Sequence, residues 1–193
     1  MKNLIAELRA SIAATLLLAV LCCGIYPVVV WAVGQGLFSS EANGSLVRVD
    51  GNVAGSSLLA QGFTSAKYFH PRPSAAGQGY DAAGSSGTNL GPVSKKLIEN
   101  VNQRVADYRT ENSLPLGSMV PADAVTSSAS GLDPHVSVRN AALQANRVAA
   151  ARGMTKEDVL KKVRAHTEGR TLGIFGEPRV NVLLLNLELD GKM

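Results

Sequence analysis

His70, His135 and His166 are the side chains in this sequence best suited to metal or acid–base chemistry. Each stands in a different string, KYFHPRPS, SGLDPH and HTEGR. A zinc helix of the H-E-x-x-H kind sets two histidines one turn apart on the same face, and HTEGR lacks the second one. An isolated histidine is more often hydrogen-bonded structure than a ligand, so no metal site is expected. Gly77, Gly79 and Ala82 spell G-x-G-x-x-A. The dinucleotide version of that motif needs a strand before it and a helix after it, and the preceding HPRPSAA is not a strand. No G-x4-G-K-[ST] string occurs. Serines are plentiful and DPH supplies an Asp and a His, but there is no nucleophile elbow to present a serine to them. The expectation is therefore no catalytic residue and no firmly bound cofactor.

What remains is a set of polar loops of unusual composition: KYFHPRPS, YDAAGSSGTNLGP, SGLDPH and HTEGRTLG. Their candidate partner-facing or loop-ordering residues are Tyr68, His70, Arg72, Asp81, Asn89, Asp133, His135, His166, Glu168 and Arg170. In one reading Asp81, Asn89 and Asp133 satisfy backbone N–H groups in turns, and Arg72 and Arg170 pair with acids. In the other, the loops gather into a surface for a partner subunit. The stretch 67–92 has a linker's glycine, proline and serine, yet no second domain follows it. A structureless loop of about 26 residues inside one domain is improbable unless it is functional, so an ordered, turn-rich excursion is expected.

The elements that must position these loops begin with an anchor. Between Arg9 and Glu41 there is no charged residue, and Ile12 to Val33 is almost wholly apolar. At about 1.5 Å per residue, about 22 helical residues cross the roughly 30 Å hydrocarbon core. A signal peptide's apolar core is shorter, about 7–15 residues, and the small-residue cleavage sites here (VWA, GQG) are poor. Cys22, preceded by Leu21, does not suit lipoprotein processing. The expectation is a retained single span at 12–33, with Trp31 near an interface, Pro27 a source of kinking, and Ala13, Ala14 and Gly24 available for helix packing. Lys2 and Arg9 precede it and only Arg48 is basic in the stretch just after it. The positive excess therefore keeps residues 1–11 in the cytoplasm and sends 34–193 outside, in the inner (plasma) membrane. Both cysteines, Cys22 and Cys23, lie in the span, which leaves the rest without disulfide or thiol chemistry. A net charge of +4 spread without clusters gives no nucleic-acid footprint.

The soluble part reads as α+β: a hairpin, then helices, then a strand. Val47 and Val49 alternate with polar neighbours before Asp50-Gly51, a type I′ turn signal, and a second arm runs toward Leu58, Leu59 and Phe63. Leu97, Val101, Val105 and Tyr108 make one helical face, with Pro92 opening that helix. Ser137 caps a helix that Gly153 stops, and Thr155 caps the next. VNVLLLNLELD closes the chain as a strand, with Leu183, Leu185, Leu187 and Leu189 on one face, joining the hairpin.

The strings GSSLLAQGF, KYFHPRPSA, YDAAGSSGTNLGP, VPADAVTSSASGLDPHVS, QANRVAAARG and HTEGRTLGIFGEPRVNVLLLNLELD occur in order. On these the chain resembles the C subunit of the bacterial Kdp potassium-transporting P-type ATPase, over Ile12 to Asp190. The resemblance implies an accessory subunit, with a channel-like potassium-translocating subunit, a P-type ATPase subunit and a small membrane peptide as partners. It also implies a role in assembly and as a catalytic chaperone that raises the ATPase subunit's affinity for ATP. The phosphorylatable DKTGT motif is absent here, so hydrolysis belongs to a partner. Residues outside the membrane do not meet cytoplasmic ATP, so any ATP effect is expected to act through the complex. The alternative is a membrane-tethered pilin-like or other structural protein outside the cytoplasm, although a pilin's Glu would lie inside the apolar run and Glu7 lies ahead of it. An alkaline phosphatase fused after Met193 is expected to be active; a stably expressed but inactive fusion would reverse the orientation.

Overall fold

A long apolar run folds as helix because each backbone amide then finds its partner within the segment. The computed structural model describes residues 2–192 and opens with α1 (Lys2–Ala19), a π-helical turn (Val20–Ile25) and α2 (Tyr26–Leu37). The apolar helix runs on past Val33 to Leu37, and it is long and apolar enough to cross a membrane, with none of its apolar window buried. Pro27 stands in the first turn of α2. Its ring would crowd the carbonyl of Cys23, four residues back, and it has no N–H to donate. The wider π turn just before it relieves that conflict. Ala13, Ala14 and Gly24 are exposed along this helix. A short α3 (Ser39–Ala42) follows, and the chain divides into two compact units between Ser45 and Leu46.

The second unit starts with β1 (Leu46–Val49) and β2 (Asn52–Ser56), an antiparallel pair with a bulge between Val47 and Arg48. Asp50 and Gly51 both take positive φ, 50° and 80°, as a type I′ turn requires. The second arm is shorter than expected. The Ser56 hydroxyl accepts from the Leu58 amide at 3.1 Å, which turns the chain away from the ladder. Leu58, Leu59 and Phe63 therefore lie beyond the strand, in turn and loop.

Four helices follow in the order α4 (Lys95–Glu111), α5 (Ala122–Val125), α6 (Val138–Arg152) and α7 (Lys156–Ala165). Pro92 precedes α4 without opening it; Ser94 takes the N-cap position. Ser137 caps α6 by accepting from Asn140 N at 3.1 Å, and Gly153 ends it at φ 64°. Thr155 caps α7 by accepting from Asp158 N at 3.1 Å. Three short strands, β3 (His135–Ser137), β4 (Thr167–Glu168) and β5 (Arg179–Asn181), form an antiparallel sheet in the order β3-β5-β4.

The closing segment corrects the sequence reading. Only β5 is extended; residues Val182–Leu189 form α8. The strand joins β3 and β4, and the hairpin remains a separate two-stranded sheet. The cause is local. Asn181 caps the helix, its side chain accepting from Leu184 N at 3.2 Å, and the leucines, Asn186 and Glu188 that follow include no β-branched residue after Val182. Alternating leucines suit a strand, but the buried set is Val182, Leu183, Leu185 and Asn186, which is helical spacing.

The core joins α6, α7, α8 and the three-stranded sheet through Val148, Val159, Val163, Val180, Val182 and Leu185. Phe69, from the glycine- and proline-rich excursion, is fully buried in the same cluster. A helical closing segment makes a specific demand. Replacing the buried Asn186 by Ala is expected to lower stability by about 2–3 kcal/mol, and Leu185→Ala by about 2–5. Thermal unfolding of the detergent-solubilised chain measures this; a strand with its leucines inward would leave Asn186→Ala nearly neutral.

Candidate functional site

The excursion crosses the core beside Phe69 and His70, where it has no strand neighbour, and Pro71 and Pro73 bring no N–H of their own. Two buried amide side chains take the place of that neighbour. Asn186 accepts from Phe69 N at 2.8 Å and donates to Phe69 O at 3.0 Å. Gln144 accepts from His70 N at 2.8 Å and donates to His70 O at 3.0 Å. Gln144 also donates to Asn140 Oδ1 at 2.9 Å and accepts from Arg147 at 2.8 Å. Tyr108 donates its hydroxyl proton to Asn140 Oδ1 at 2.8 Å, and Asn140 donates to Asp123 at 3.0 Å. Burial, reinforced by the Asp123 carboxylate, raises the Tyr108 pKa, so the phenol stays a donor.

Around this network the sequence-selected residues fall into separate groups. His70 sets Nδ1 2.8 Å from Glu111 and Nε2 3.2 Å from the Ser65 carbonyl. Tyr68 donates to Asp190 at 3.0 Å, and Arg152 donates to the same carboxylate at 2.8 Å while lying 5.2 Å from the Tyr68 ring centroid. These contacts staple the end of α8 to the excursion.

Arg72, Asp133, His135 and Glu168 are brought into one row of alternating basic and acidic side chains. The Arg72 guanidinium donates to Asp133 at 3.1 Å and to the Thr126 and Ser127 carbonyls at 3.4 Å each. Asp133 accepts from the His135 amide at 3.0 Å and faces its ring Nδ1 at 3.3 Å. His135 Nε2 lies 3.7 Å from Glu168, which accepts from Arg179 at 2.9 Å. The row borders an open cleft of about 470 Å³ that Asp123, Ser137 and Glu177 also line.

The remaining candidates stand apart from that row. Asp81 accepts from Ala83 N at 2.9 Å and fills the inside of its own turn. A Cβ on Gly77 would come within 2.6 Å of its side chain, and one on Gly84 within 2.9 Å. Those glycines make room for the Asp81 side chain. Asn89 is exposed at φ 52°. His166 ends α7, its amide donating to Lys162 O at 3.0 Å. Arg170 donates to both oxygens of Glu177, at 2.9 and 2.8 Å. Among the described residues, no three His, Cys, Asp or Glu side chains converge as metal ligands.

Sequence reasoning missed Asn140, Gln144, Arg147 and Asn186. A signal was present: Asn140 and Gln144 are one turn apart, beside Ala141, Ala145 and Val148 on the buried face of α6. A polar residue on a buried face requires a partner.

The geometry defines a class. The polar side chains hold loops in place, and the unit they build follows an apolar helix long enough to span a membrane; this is the make-up of a membrane-associated structural or accessory protein. Residues 8–191 match the family model described as "KdpC: K+-transporting ATPase, c chain". The chain is 53% identical over 184 residues to the potassium-transporting ATPase KdpC subunit of Mycobacterium tuberculosis, covering 95% of this chain and 97% of the relative. It is 56% identical over 183 residues to that of Nitratidesulfovibrio vulgaris (94% and 92%), and 59% over 167 residues to that of Myxococcus xanthus (86% and 79%). The chain belongs to the KdpC family, the c chains of K+-transporting ATPases. It is thus an accessory subunit and not the catalytic chain, and the pilin-like alternative is set aside.

The hydrogen bond from His70, with Arg147 nearby, holds the Glu111 carboxyl below its usual range. At Asp133 burial pushes upward, but the hydrogen bonds from His135 and the Arg72 guanidinium outweigh it, and the net shift is downward. A carboxylate with a lowered folded-state pKa stabilises the fold above its unfolded value, roughly pH 4, and that contribution is lost as pH falls through the lowered value. Melting temperatures of the wild-type chain and Glu111→Gln are therefore expected to differ at pH 7 and to converge as pH falls through about 4 toward 3. A gap independent of pH would remove the ionised carboxylate from the account.

Proposed function

We propose that this chain assembles and stabilises a potassium uptake complex by offering a pre-formed polar surface to the channel-like subunit on the extracytoplasmic side. The observation that carries this reading is the locking of the excursion: Gln144 and Asn186 hold Phe69 and His70 from inside, and Arg72 ties the excursion to the SGLDPH string. Loops fixed from beneath keep their outer faces available at little ordering cost, which favours association. The charge bias of Lys2 and Arg9 supports an inner-membrane anchor with its N-terminus inside. The apolar helix packs among the helices of partner subunits through Ala13, Ala14 and Gly24.

Any rise in the ATPase subunit's affinity for ATP is then coupling through the complex, without nucleotide contact by this chain. One feature supports that reading: the only glycine-rich string of phosphate-loop type among the described residues closes on Asp81.

Co-expression with the partner subunits is expected to give a stable complex in detergent containing the channel-like subunit, the ATPase subunit and the small membrane peptide. Arg72→Ala is expected to weaken recovery of that complex more than it lowers the melting point of the isolated chain. Calorimetric titration of ATP into the isolated chain is expected to be flat. Tight ATP binding there, or a chain recovered free of all partners, would overturn the reading.

A further inference from the structure

The turn between Arg170 and Glu177 presents three apolar side chains to solvent: Leu172 is 83% exposed, Ile174 71% and Phe175 64%. The turn is built, not slack. Thr171 and Phe175 exchange backbone hydrogen bonds at 2.8 and 3.0 Å, and Gly173 N donates to Arg170 O at 3.0 Å. One guanidinium nitrogen of Arg170, donating to both Glu177 oxygens, closes its base. Leu172 itself takes φ 55°, a backbone conformation that a residue with a Cβ rarely adopts, between a fixed base and Gly173 at φ 75°. The backbone is therefore set so that leucine, isoleucine and phenylalanine all point away from the folded unit.

Charge and area decide what covers them. The acids and bases beside the tip cancel: Arg170 pairs with Glu177, and Arg179 with Glu168. A tip that enters a bilayer surface would carry unpaired basic residues for anionic headgroups, and here they are neutralised. Three such side chains expose on the order of 400 Å², about half of what each partner buries in a self-sufficient interface. A second copy of the chain would not be held by that area alone. A subunit already gathered into the same assembly would, because a second contact within an assembly is effectively intramolecular. We propose that the Leu172–Phe175 tip is a plug that inserts into an apolar socket on another subunit of the K+-transporting ATPase. This rests on the accessory-subunit reading above and names the element that docks.

The test uses the full chain co-expressed with the other subunits. A photoreactive phenylalanine analogue at position 174, irradiated in native membranes, is expected to cross-link to another ATPase subunit. The double variant Leu172→Ser/Phe175→Ser is expected to lower recovery of the complex about tenfold, as loss of an anchoring contact does, while melting like the wild type. Cross-links only to lipid or to a second copy, or undiminished recovery of the double variant, would overturn the plug while the wild-type complex stands. A wild-type chain that recovers no ATPase subunit would overturn the accessory-subunit reading and the plug together.

Discussion

The paired amide contacts of Gln144 and Asn186 with the backbone of residues 69 and 70 are what the rest of this fold depends on. A proline-containing loop that enters a core brings peptide groups that have left water. Each must find a partner or cost free energy comparable to a lost hydrogen bond. Gln144 stands on α6 and Asn186 on α8, and each carboxamide copies the donor–acceptor pair of a neighbouring strand. Because both helices clamp the same dipeptide, the excursion, α6 and α8 cannot shift independently. Phe69 is then held among Val148, Val159 and Leu185, where its burial reinforces what the amides specify.

The charged contacts extend this clamp outward. Arg152 and Tyr68 tie the end of α8 through Asp190, and Arg147 and His70 tie the end of α4 through Glu111. The row from Arg72 to Arg179 links the excursion to all three strands of the small sheet. Each of these pairs is partly exposed and weak alone. Their value is geometric: alternating basic and acidic side chains set the register of loops that have few backbone hydrogen bonds to one another. Three histidines that a motif search treats as chemistry thus serve as connectors and a helix end.

Several elements were legible in the sequence because their causes are local. The type I′ turn at Asp50-Gly51, the caps at Ser137 and Thr155 and the stop at Gly153 each rest on a residue and its near neighbours. The closing segment was not read correctly. Its leucines alternate as a strand's would, and only the position of Asn181 at the end of β5 reveals that residue as a cap. Gln144, Asn140 and Asn186 went unread because their partners lie far along the chain, 74 residues away for Gln144 and His70 and 117 for Asn186 and Phe69.

The sequence by itself determined the apolar helix, the α+β class, the absence of thiol chemistry outside the helix, and the family, because composition, caps and ordered strings need no neighbour in space. The tertiary structure decided which polar residues are buried, that the final leucines coil rather than extend, and that a glycine-rich loop closes on Asp81. It also decided that Leu172, Ile174 and Phe175 face outward while Phe69 does not. Those outcomes turn on which backbone groups are left without partners once the core closes, a quantity that belongs to the packed chain and not to any segment of it.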